Sequence, residues 1–162
     1  MRRLSDQSLV EGAYSTVVRN NAGVAFTIQT YVLEPGAAYT VWAVIFNNPA
    51  GCSPPCDAND PRTVRFVTGH VVGGDGVGDF GGHIRILDAP NDPAQIRLGD
   101  GLLTNPRGAE IHSVIRGHGQ PVPGLADAQI STFGGGCNNA PPGFGPPGPN
   151  ACVDRQVSAQ AP

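Results

Sequence analysis

Glycine and proline interrupt this chain so often that a long helix has nowhere to form. Its 162 residues include 23 Gly and 16 Pro, yet 40% of them are hydrophobic. In a helix interior Gly costs about 1 kcal/mol and Pro about 3 kcal/mol relative to Ala, whereas both suit the turns between short strands. A chain with enough apolar residues for a core, punctuated in this way, predicts an all-β fold. The length suits one domain.

The stretches between turns read as strands. Ala13 to Arg19 and Val24 to Leu33 flank Asn20-Asn21-Ala22-Gly23, a hairpin signal, with Val24, Phe26 and Ile28 turned to the core. Ala38 to Asn47 is apolar on both faces, which predicts a central strand covered on both sides. Thr63 to Val72 and Val77 to Leu87 flank Asp75-Gly76, read as the tip of a second hairpin. That register pairs His70 with Gly81 and Thr68 with His83. It sends Val67, Val71, Phe80, Ile84 and Ile86 to the core, and leaves His70, Asp79, His83 and Arg85 on the other face. His70 and His83 then become diagonal neighbours about 7 Å apart. Further strands are expected at Ala94 to Leu98, Ala109 to Arg116, Gln129 to Phe133 and Val153 to Ala159. Residues 1–12 read as a polar arm and 13–162 as a single domain, with a Gly/Pro-rich loop over 134–151. Eight or nine short strands predict a two-sheet Greek-key β-sandwich, or a flattened barrel, with long disulfide-closed loops.

Four cysteines, Cys52, Cys56, Cys137 and Cys152, all fall in these loops. Their even number and placement predict two disulfides, most simply Cys52 with Cys56 and Cys137 with Cys152, among three possible pairings. Disulfides imply an extracellular or periplasmic setting. Met1-Arg2-Arg3 looks like the charged start of a signal peptide, but no apolar run follows, so the export signal is expected to be missing from this chain. The spacings lack the doubled C-x2-C of structural zinc sites.

Ala109 to Gly119, AEIHSVIRGHG, holds most of the chain's chemically capable side chains. Strand alternation sends Ile111, Ser113 and Ile115 to the core and Glu110, His112, Val114, Arg116 and His118 to the other face. His118, beyond the strand-breaking Gly117, is expected at the strand's mouth. His70, His83, His112 and His118, with Glu110 or Asp79, are therefore candidate ligands for copper or zinc, because imidazole suits both ions. The competing interpretation of the same face is solvated surface, with Arg116 and Glu110 in structural ion pairs. Asp57, Asn59 and Asp60 offer oxygens to calcium, although Asx residues in such a loop read first as turn formers. No G-x-S-x-G elbow or phosphate loop is present.

The formal net charge of -3 carries no electropositive footprint, which argues against nucleic acid as a partner. No apolar run is long enough to span a bilayer as a helix. The segments AYTVWAVIFNNP (38–49) and AEIHSVIRGHG (109–119), with the cysteine pair that follows each, resemble an uncharacterised family of secreted bacterial β-sandwich proteins. The resemblance implies export and a sandwich fold. A remoter likeness runs to chordin-type (CHRD) domains and the copper/zinc superoxide dismutase sandwich. Those families carry a His-x-His strand that this chain lacks, so only the fold is implied.

Two functional classes follow. The first is a secreted or cell-surface structural and binding module that self-assembles by strand exchange into oligomers or fibres, because a sandwich with exposed edges accepts a neighbour's strand. The second is a copper- or zinc-binding sandwich with redox or hydrolytic activity on its histidine faces.

Overall fold

A computed structural model describes residues 1–162 as nine strands in two antiparallel sheets. In chain order they are β1 (Arg2–Arg3), β2 (Tyr14–Asn20), β3 (Gly23–Thr30), β4 (Ala38–Phe46), β5 (Thr63–Val71), β6 (Gly78–Arg85), β7 (Ile96–Leu98), β8 (Glu110–Gly117) and β9 (Val153–Gln160). The large sheet has the order β1-β9-β8-β4-β5-β7 and the small one β2-β3-β6. The chain changes sheet between β1 and β2, between β3 and β4, between β5 and β6, and between β6 and β7, the connectivity of a Greek-key sandwich. Both disulfides form in the simplest pairing, Cys52 with Cys56 and Cys137 with Cys152.

β4 is the central strand its two apolar faces predict. Ala43 and Ile45 pack between the sheets with Val24, Phe26 and Ile84. Trp42 points the other way, edge-on to Phe66 and Phe133. The β2–β3 hairpin also forms as expected, closing at Asn20 and Gly23. The polar arm is not free: Arg2 and Arg3 pair with Val157 and Gln156 as an edge strand, and Val10 is buried.

The second hairpin does not form. β5 pairs with β4 and β7, while β6 pairs with β3, so Asp75-Gly76 turns an arch between sheets. His70 stands opposite Tyr39 rather than Gly81, and His83 opposite Ala25 rather than Thr68. The turn chemistry is real, with Gly76 at φ 69° and the Val77 N–H donating to Asp75 Oδ1. It sets a local reversal, whereas the sheet that receives the next strand is chosen by burial of Phe80 and Ile84 over β4. Val71 is accordingly 42% exposed, and Val72 takes the buried place.

Gln129 to Phe133 is not a strand either. Ala126–Gln129 form a single turn of helix, α1, that follows a reversal at Gly124. Leu, Ala and Gln are good helix formers, and the Gln129 side chain fastens the turn by donating to the carbonyls of His118 and Gln120. Gly135 lets the next loop press on α1, since a Cβ there would lie 2.1 Å from the Ala128 carbonyl oxygen.

Val32, just after β3, sits at φ 58° with 63% of its surface exposed. The left-handed region is strained for a β-branched residue. Replacing Val32 with Gly is expected to raise stability by about 1 kcal/mol, read as a higher urea midpoint at unchanged slope.

Candidate functional site

Alternation along β8 gives the large sheet an inner and an outer face. Ile111, Ser113 and Ile115 are fully buried on the inner face, as expected. The outer face is not the solvated surface that its polar residues suggest. Glu110, Arg116 and His118 are all buried, because the two Cys-closed loops fold over that face.

Each of these residues has a definite partner. Glu110 Oε1 accepts from the Cys56 N–H at 2.8 Å and lies 2.6 Å from His112 Nε2, while the Phe46 ring packs 5.0 Å from the imidazole. The carboxylate thus orients a histidine, but no hydrogen bond continues from the pair to a hydroxyl or thiol. Arg116 stitches the loop to β9: its guanidinium donates to Asp154 Oδ1 at 2.8 Å and to the Phe133 carbonyl at 3.0 Å, and lies 4.0 Å over the Phe133 ring.

His118 lies past the end of β8 and is wholly buried, not at an open mouth. Its Nδ1 is 3.0 Å from the Gly135 carbonyl and its Nε2 is 2.9 Å from Thr40 Oγ1. Because a carbonyl only accepts, Nδ1 carries the hydrogen and Nε2 accepts from the Thr40 hydroxyl. Burial holds the imidazole pKa down at about 4, with Arg116 acting in the same direction and the Gly135 carbonyl and Asp154 against it.

The four histidines are not brought together. His70 stacks on Phe80 at 4.4 Å, with its pKa lowered by burial against the opposing charge of Asp79. His83 and Asp79 are exposed on the small sheet. The side chains gathered closely enough for a metal are His118 with Cys137 and Cys152, and Cys52 with Cys56 and Asp60. In both groups the sulfurs are joined to each other, so neither presents thiolates. In the Asp57 to Asp60 turn, Asp60 Oδ2 accepts from the Asp57 N–H and Asp57 Oδ1 from the Asn59 N–H, the turn-forming role expected of these residues.

Beside the Arg116 stitch the outer face opens into a cleft of ≈ 350 Å³. Trp42, Val44, Val64, Val114 and Phe133 supply its apolar wall, and Arg62, Arg97 and Asp154 its polar rim. Arg97 lies 5.0 Å over Phe133 and 4.9 Å over Phe144 with no carboxylate partner, whereas Asp154 is already paired to Arg116. Arg97 and Phe133 escaped the sequence reading because they come from a three-residue edge strand and a loop. Val44 and Val114, two apolar side chains on the outward face of adjacent strands, were the available signal.

No protein-family model, no curated protein and no solved structure matches the chain.

Proposed function

We propose that the protein is a secreted or cell-surface binding module whose ligand seat is this outer-face cleft. The observation that carries the reading is an apolar recess on a rigid sheet whose rim holds Arg97, a guanidinium with neither a carboxylate partner nor a protein acceptor, while the neighbouring Arg62 is engaged by the Ala58 and Asp60 carbonyls. Concave sites with a mostly apolar lining and a few placed polar groups are the usual form of small-ligand sites. Two disulfide-closed loops roof the same face, and Phe144 of the Cys137–Cys152 loop packs against both Phe133 and Arg97, an arrangement that suits an oxidising exterior. The matching ligand has an apolar body and a single negative charge, placed to meet Arg97.

Octanoate is the probe. Trp42 is the only tryptophan and lines the cleft, so its emission reports occupancy directly. Titration is expected to shift that emission saturably, Val114→Asp to abolish the shift, and Arg97→Gln to weaken binding about tenfold. An emission that does not respond to octanoate, or that responds equally in Val114→Asp, would remove the cleft as the ligand seat.

A further inference from the structure

At the other end of the large sheet, β1, β4 and β9 border a second, open cleft of ≈ 360 Å³, lined by Arg3, Ser5, Tyr39 and Arg155 together with Val32, Leu33, Glu34 and Gln156; Tyr39 and Gln156 are buried at its floor and Arg155 is exposed at its rim. Its charged groups are the Arg3 and Arg155 guanidinia and the Glu34 carboxylate. Neither Arg3 nor Arg155 has a carboxylate within ion-pair distance, and neither guanidinium donates to a protein acceptor; Arg116 makes the only arginine ion pair. Tyr39 is 2% exposed, and its hydroxyl oxygen accepts from the Glu34 N–H at 2.9 Å while the hydroxyl hydrogen has no acceptor in the protein. The amide of Gln156 accepts from Thr30 and donates one of its two N–H groups to the Tyr31 carbonyl. The one carboxylate on the wall, Glu34, is held by the Gln120 side chain at 2.9 Å.

We infer that this cavity is a binding site for a small oxyanion, a carboxylate or phosphate monoester, held by the Arg3 and Arg155 guanidinia and the Tyr39 O–H. A tyrosine hydroxyl hydrogen with no acceptor in the protein is free to donate into the cleft, and an anion oxygen accepts it. Two guanidinium forks match the paired oxygens of carboxylate and phosphate alike. The volume admits more than a bare ion, so a small molecule with an anionic head also fits. Strain at Val32, which lines the same cavity, is the kind that accompanies ligand clamps. The site is complete only when β1 is paired to β9, because Arg3 arrives on that strand. It shares no lining residue with the outer-face cleft.

The test is NMR of the arginine Nε–H signals during titration with acetate and, separately, methyl phosphate, at constant ionic strength set with chloride. The expected result is saturable movement of the Arg3 and Arg155 signals in at least one titration; the tighter arm identifies the anion. Tyr39→Phe, which keeps the buried ring, is expected to weaken that binding about tenfold, and Arg3→Gln, on the edge strand, at least as much. Arg107→Gln, at a remote exposed arginine, leaves it unchanged. Signals that follow chloride as closely as either probe, or equal affinity in Tyr39→Phe and Arg3→Gln, would overturn the assignment.

Discussion

Acidifying the protein from pH 6.5 toward pH 4 is expected to remove about 3 kcal/mol of its stability through one side chain, His118. The folded imidazole has a pKa of about 4 against 6.5 in the unfolded chain. Between those values the unfolded state binds a proton that the native state refuses, so stability falls as pH falls and is fully present only above the unfolded pKa. The cause is geometric. Burial removes the ring from water, and Nε2, the atom that would take the proton, is already accepting from the Thr40 hydroxyl. Protonation would turn that acceptor into a donor facing the Thr40 oxygen, to which Trp42 Nε1 already donates. His70, lowered by burial as well, adds in the same direction. Urea unfolding at a series of pH values in the wild type and in His118→Gln separates the two. The variant should be less stable at neutral pH but should lose most of the slope. An unchanged slope would assign the pH dependence to another group.

Trp42→Ala is expected to cost about 4 kcal/mol, at the upper end of large-to-small substitutions. Trp42 is 1% exposed, although it points away from the inter-sheet core. Its ring is the surface against which Phe66 and Phe133 pack, and its Nε1 opens the hydrogen-bond series Trp42, Thr40, His118 and Gly135. Truncation leaves a cavity under the roofing loop and a hydroxyl without its donor. Trp42→Phe should keep most of the packing and cost about 1–2 kcal/mol for the lost hydrogen bond. Because Trp42 and His118 share Thr40, their effects should not add: a double-mutant cycle is expected to give a coupling of at least about 0.5 kcal/mol. Simple additivity would mean that the two ends of the series act independently. Urea midpoints of the two single variants and the double variant provide the measurement.

Legibility in the sequence followed the range of the interactions. Alternation along Val24, Phe26 and Ile28 is a local property, and it named the buried side of β3 correctly. The two-sided apolar run of β4 did the same for the centre of the large sheet. The candidate site was legible only in part. Glu110, His112, Arg116 and His118 do share the face opposite the core, but reading that face as solvent required the 126–152 loop to stand clear. Instead Gly135 admits the loop to within contact of α1, and Phe133 seats between Trp42 and Arg116. Nothing periodic in a Gly/Pro-rich segment encodes that contact.

All ten basic residues of the chain are arginines, with no lysine, and one of them makes a contact that composition could not disclose. Arg19 reaches the carbonyls of Pro106, Ala109, Gln160 and Ala161 at once, a task for a planar fork of donors and not for a single ammonium.

By itself, then, the chain determined its all-β class, the buried faces of β3 and β8, the central place of β4 and its first hairpin, because short-range sterics and alternation act within a few residues of their cause. Only the tertiary structure decided that β5 and β6 part into different sheets, that His70 and His83 separate, that His118 is sealed beside a disulfide, and that arginines far apart in sequence meet in one cavity. Those outcomes depend on which apolar surfaces bury each other, a competition between distant segments that no local pattern records.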